Sequence, residues 1–179
     1  DDSEWSRRLK LINRSERRWA RSMNYKWIQL LTQTDLTTTA SQQYVDLPSD
    51  FAPQRMILPT NGKLTIGTDT YEIIRLQERK DYLDDAKYAY MTVDYTGGTQ
   101  TYRLNVNPLP TSVASIPLDY YTTDLATSAG GTPQEVLAEP TDLTKCPDHY
   151  FLVHDVLSTL YRNDGDMASA EDHARLAFD

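Results

Sequence analysis

Between Glu4 and Met23 the apolar side chains recur at a helical interval, and this constrains the fold more than any other feature of the chain. At roughly 100° per residue, Trp5, Leu9, Ile12, Trp19 and Met23 fall in one narrow stripe. Arg7, Lys10, Arg14, Arg17, Arg18 and Arg21 gather on the opposite face. A strand would scatter both sets over its two sides, so the segment is an amphipathic helix that must lay its stripe on another element. Ser3 stands where an N-cap belongs, with acidic residues beside the positive helix end. Glu16 interrupts the stripe and needs a partner or an edge position. The six cations form a solvated face, a contact surface for an acidic neighbouring subunit or, as the least favoured reading, a nucleic-acid contact.

After Asn24 the composition turns β-branched and aromatic, with Thr32, Thr34, Thr37, Thr38 and Thr39 crowded together, which is strand chemistry. Tyr25 to Thr39 and Gln43 to Leu47 read as a β-pair, closed by Pro48. Met56 to Leu58 leads to an Asn61-Gly62 turn, followed by strands over Leu64 to Ile66 and Thr70 to Ile74. Glu78 to Asp85 suits a short surface helix. Two alternating strands, Tyr88 to Tyr95 and Thr101 to Asn107, are joined across Gly97-Gly98, and a last strand covers Ile116 to Thr123.

Beyond Ala126 the chain is rich in Ser, Gly, Thr and Pro, which marks a surface connection. Pro147 then suits the first position of a helix whose apolar face is Tyr150, Val153, Val156, Leu157 and Leu160. Asn163 to Asp166 is a turn, and Met167 to about Phe178 a final helix with Ala170, Ala174 and Ala177 for close packing. The expected class is α+β: packed N- and C-terminal helices with a central inserted antiparallel β-sheet or small barrel. Residues 1–24 and 140–179 would form the helical core, 25–125 the β-rich insertion and 126–139 a surface linker. A chain of 179 residues buries about 70% of its unfolded surface, enough for one real core and a satellite lobe.

The formal charge of −8 is unevenly spread: residues 1–30 carry +4, 31–131 carry −5 and 132–179 carry −7. Domain-wide nucleic-acid binding wants a positive field throughout. An acidic body with one basic helix instead presents opposite signs to its neighbours. No stretch approaches the roughly 20 apolar residues that span a bilayer, and Asp1-Asp2-Ser3-Glu4 lacks the basic and apolar regions of a signal peptide.

Catalytic chemistry is hard to find. His149 and His154 are five apart, about 140° around a helix, and cannot grip one metal from one face. A metal site from His154, Asp155 and His173 is geometrically conceivable, but surface histidines on helices are usually unremarkable, and no metal is expected. There is no nucleophile elbow, phosphate loop or dinucleotide fingerprint. Cys146 alone can form no intrachain disulfide. No catalytic residue and no cofactor is expected. Tyr88, Tyr90, Tyr95, Tyr102, Tyr120 and Tyr121 could make a stacking platform, though aromatics at strand spacing mostly fill cores.

The order of short motifs says more. Ile12-Asn13-Arg14, Arg18-Trp19-Ala20, Tyr25-Lys26-Trp27 and Tyr44-Val45-Asp46-Leu47-Pro48-Ser49-Asp50-Phe51 resemble the head-to-tail adaptor, or connector, proteins of tailed bacteriophages. Leu104 to Pro110, Leu118-Asp119-Tyr120-Tyr121, Pro147 to Tyr150 and Leu160 to Asp166 continue the likeness over nearly the whole chain. With its large strand region the chain looks closest to adaptors with a β insertion, such as podoviral tail tubular proteins.

The resemblance implies a structural virion protein, not an enzyme, assembled in the bacterial host cytoplasm. It would form a homo-oligomeric ring, a dodecamer, below the portal protein at the head-to-tail interface. Such a ring extends the DNA channel, lets genomic DNA pass without sequence-specific binding, and docks the next neck or tail protein, with no membrane involved. Partner-binding residues would be Arg7, Arg14, Arg17, Arg18, Arg21, Tyr150, His154 and Tyr161. An acidic lumen would let DNA slide, whereas Arg7, Arg14, Arg18 and Arg21 lining it would hold phosphates. Reversing Arg14 and Arg18 together should then harm assembly more than folding. The rival reading is a β-rich glycan- or receptor-binding module of a phage tail that uses the strand tyrosines.

Overall fold

A computed structural model of the chain describes residues 2–21, 27–56 and 62–178. Met23, Tyr25, Lys26, the Ile57-Leu58 end of one expected strand and Asn61 of the expected turn lie outside them. The fold is α+β. Residues 31–122 form one compact unit, and residues 1–30 with 123–179 another.

The 31–122 unit is built from two sheets. Strands β1 (Leu31–Thr37), β2 (Tyr44–Asp46), β3 (Phe51–Met56), β4 (Lys63–Ile66), β5 (Asp69–Ile73), β6 (Tyr88–Asp94), β7 (Thr101–Asn107) and β8 (Ser115–Thr122) follow in chain order. One sheet runs β1-β8-β3, the other β2-β7-β6-β5-β4. All pairs are antiparallel except β5 with β6. That parallel junction departs from the all-antiparallel expectation, and its cause is the long connection over residues 74–87, because parallel neighbours need a crossover of about a dozen residues. The crossover carries a 3-10 helix, Leu76–Asp81, where a helix over Glu78 to Asp85 was expected.

The expected pairing of the segments now seen as β1 and β2 is overturned. β1 pairs with β8, Leu31 opposite Tyr121, and β2 pairs with β7. The deciding contacts are remote in sequence: Thr38 N–H donates to the Ala114 carbonyl at 2.9 Å and Thr38 Oγ1 accepts from the Ala114 N–H at 2.8 Å. Ser41 N–H donates to the Pro110 carbonyl at 2.8 Å, so the Ser/Thr turn leans on the approach to β8. The β6–β7 hairpin is as expected, and Gly97 and Gly98 at φ +73° and +79° supply the left-handed turn that other residues resist.

The core of this unit gathers Leu36, Leu47, Phe51, Leu64, Ile66, Tyr71, Ala89, Leu104, Val106, Ile116, Leu118 and Tyr120. The Leu47-to-Phe51 motif has a clear task here. Leu47 and Phe51 are buried, while Asp50 Oδ2 accepts from Thr122 Oγ1 at 2.7 Å and from Tyr120 Oη at 3.1 Å. The motif thus pins the start of β3 to the end of β8.

In the other unit, α1 (Asp2–Arg21) opens the chain. Three two-residue strands, β9 (Ala126–Thr127), β10 (Pro133–Gln134) and β11 (Leu143–Thr144), form a small sheet in the order β10-β9-β11. Residues 126–139, read from composition as a surface linker, therefore include two short strands joined by a turn in which Gly131 N–H donates to the Ser128 carbonyl at 2.9 Å. Helices α2 (His149–Asn163) and α3 (Met167–Leu176) close the unit. Asp148 is the N-cap of α2, its carboxylate accepting from Phe151 N–H at 2.9 Å; the helix begins after Pro147, not at it. Ala170 and Ala177 are buried, as small residues at a helix contact should be. Among the described residues, no helix is long and apolar enough to cross a membrane.

Candidate functional site

The basic face of α1 opens onto a surface cleft. Arg14, Arg17, Arg18 and Arg21, spaced three, four and seven apart, stack on one side of the helix and with Glu135 line a cleft of about 660 Å³. Their states differ. Arg17 faces Glu135 at 3.7 Å, a loose exposed pair. Arg18 donates from Nη1 to Asp155 Oδ1 at 2.5 Å, and Asp155 is only 5% exposed. Arg14 and Arg21 are exposed and, among the described residues, make no ion pair. Arg7 is exposed two turns nearer the N-terminus and does not line the cleft.

The helix is held from its other side. Asn13 donates from Nδ2 to the Leu137 carbonyl and accepts at Oδ1 from Leu137 N–H, both at 2.9 Å, so one amide side chain pairs with a loop backbone as a strand neighbour would. Trp19 is buried, its carbonyl accepts from Trp27 Nε1 at 3.0 Å, and the two rings lie 4.9 Å apart. Glu16 points inward at 0% exposure, and neither carboxylate oxygen has a hydrogen bond of normal geometry. Burial pushes its carboxyl up from the usual 4.5, with the Thr144 hydroxyl and the Arg17 charge pulling weakly the other way. The misfit in the apolar stripe is thus sealed inside with no ion pair among the described residues.

Tyr150, His154 and Tyr161 are joined through a residue that was weighed only as a metal ligand. His154 Nδ1 and His173 Nδ1 lie 2.7 Å apart, Tyr150 packs on the His154 ring at 4.0 Å, and Tyr161 stacks on His173 at 5.3 Å and 2°. The result is a four-ring row along α2 and α3. Asp155, the third member of the conceivable metal set, is turned toward Arg18 instead. Among the described residues no group of three or more His, Cys, Asp or Glu side chains could hold a metal ion. Cys146 is 1% exposed, and burial pushes its thiol up to about 11, far from nucleophilic. The strand tyrosines form no stacking platform: Tyr88, Tyr90, Tyr120 and Tyr121 are buried, Tyr102 is half-buried, and Tyr95 alone of the six is exposed.

The family model described as SU10 adaptor protein matches residues 1–179. The chain belongs to the SU10 adaptor protein family. No curated protein matches it significantly. The chain is therefore a phage adaptor, a structural component of the virion, and its helical motifs acquire a reason: Asn13, Arg18 and Trp19 hold the adaptor's first helix in place, leaving Arg14 and Arg21 outward. Sequence reasoning missed Glu135, Leu137 and the Arg18–Asp155 pairing, because each depends on segments more than a hundred residues apart.

Proposed function

We propose that this adaptor assembles as a ring, of twelve copies by analogy with connector proteins, directly below the portal. There it extends the channel through which the genome passes and docks the next neck or tail component, in the manner of the podoviral tail tubular proteins. The observation that carries the reading is the whole-chain family match together with a helix face whose Arg14 and Arg21 make no ion pair among the described residues. A ring requires two unlike flanks, and an arginine face on a chain of net charge −8 supplies one of them. The four-ring row of Tyr150, His154, His173 and Tyr161 is a second contact surface, aromatic and half-polar as interface centres tend to be. Arg18 is a positioning residue, not a docking one, since its charge is committed to Asp155. Burial of the strand tyrosines weighs against a glycan-binding module.

Co-expression with the portal of the same phage, followed by native mass measurement, tests this. The reading expects a complex with multiple adaptor copies per portal ring; a portal that stays bare at micromolar adaptor would overturn it. The adaptor alone is not the diagnostic sample, because some connector proteins assemble only on the portal.

A further inference from the structure

We propose that the arginine cleft receives the acidic segment 81–85 of a second copy of this chain, an inference that rests on the ring reading and names the contact that closes it. The cleft holds four guanidinium groups against one carboxylate, Glu135, and the two outward cations Arg14 and Arg21 have no ion pair among the described residues. Its counterpart should be a compact exposed run of uncommitted carboxylates.

By charge the acidic C-terminal stretch is the first donor to weigh, but most of its described carboxylates are used internally, and the exposed Glu139, Asp164 and Glu171 stand singly along the chain, not in a compact run. Asp142 accepts from Ala138 and Glu139 N–H groups, Asp148 and Asp166 cap α2 and α3, Asp155 holds Arg18, and Asp172 pairs with Arg175. Asp81, Asp84 and Asp85 differ. They are exposed, fall within five residues, and make no ion pair among the described residues. Of the nearby cations, Lys87 pairs with Asp69 at 2.7 Å and Arg79 donates to Tyr90 Oη at 3.2 Å, while Lys80 beside Asp81 is exposed and makes no ion pair among the described residues. Leu83, in the middle, is 76% exposed and offers an apolar anchor amid the charges.

Charge complementarity thus selects one segment, and the contact is heterologous because cleft and segment are different surfaces of each chain, as ring closure demands. DNA is the weaker occupant. Glu135 on the cleft wall and the acidic charge of the whole chain repel phosphates.

The test is a charge exchange in the full chain, read as the adaptor fraction bound to portal by native mass. R14E/R21E and D84K/D85K should each lower that fraction about tenfold or more at moderate salt. The fourfold variant, with both surfaces reversed in every copy, should recover most of it. The altered side chains are exposed and make no ion pair among the described residues, and R14Q/R21Q serves as a milder variant should the reversal disturb folding. Full assembly by R14E/R21E overturns the proposal while leaving the ring reading intact. Failure of the fourfold variant to recover overturns segment 81–85 as the occupant. Loss of duplex-DNA binding by R14E/R21E with assembly unchanged assigns the cleft to DNA and also overturns it. Failure of the unaltered chain to bind portal counts against the ring reading itself.

Discussion

Arg18 Nη1 of α1 lies 2.5 Å from Asp155 Oδ1 of α2, the guanidinium half exposed and the carboxylate sealed beneath it. This is the one ion pair among the described residues with an almost fully buried carboxylate. A charge-reversed Arg18 would set two carboxylates against each other in the protein, so the earlier expectation for joint reversal of Arg14 and Arg18 does not isolate assembly from folding. Arg14 and Arg21 are the pair that does.

Arg18→Ala should destabilise the chain by about 1–3 kcal/mol, because it strands a buried carboxylate while solvent screens the exposed side of the pair. Asp155→Asn should cost less, and the double variant should cost less than the two single ones added. Urea unfolding of all three, analysed as a double-mutant cycle, checks this; strict additivity would show that the two side chains do not communicate.

Glu16 should act in the opposite sense. Its folded carboxyl is raised by burial, so the folded state keeps the proton to higher pH than the unfolded chain. Its contribution to stability is greatest below the unfolded value near 4.5, declines as pH rises, and is gone once pH passes the raised folded value. Glu16→Met should therefore raise stability at pH 7 by roughly 1–3 kcal/mol and bring much less benefit near pH 4. Thermal melts at both pH values decide it, and a uniform loss at both would mean that the carboxyl is paired after all.

Asn13→Ala removes a donor and an acceptor that Leu137 cannot replace, and should cost about 1–3 kcal/mol. Asn13→Asp keeps the acceptor but sets a carboxylate oxygen against the Leu137 carbonyl, and should cost at least as much as Asn13→Ala. Amide exchange at Leu137 reads the same contact directly: the N–H should be protected in the native chain and fast in Asn13→Ala.

Cys146 should resist alkylation in the folded protein at pH 8 and react at once in denaturant, since burial holds the thiol protonated up to about 11. Rapid labelling under native conditions would contradict the packing of β11 and the start of α2 around it.

Much of the helical part was legible because period is a local property. That α1, α2 and α3 are helices needs only their own sequence, and the β6–β7 hairpin is announced by Gly97-Gly98, but the buried face of α2 is not the expected one: Tyr150 and Val153 are exposed, as is Trp5 of α1, while Phe151, Leu152, Asp155 and Ser158 are buried. Strand partnership is not local. Thr32 and Val45 carry the same β signal whether their strands pair with each other or, as found, with β8 and β7, and the Thr38–Ala114 contact that decides it is invisible from either end. The arginine face was readable as a face, yet which arginines stay available was not: Arg18 and Arg21 look alike in sequence, and only the position of Asp155 separates them. β9, β10 and β11 are two residues each, too short for any alternation to show.

Imaging of intact particles carrying a tagged version of this chain tests the central claim most directly. Ring-shaped density bearing the tag immediately beneath the portal, around the channel axis, is the predicted result. Tag density confined to the distal tail or the capsid surface would contradict it.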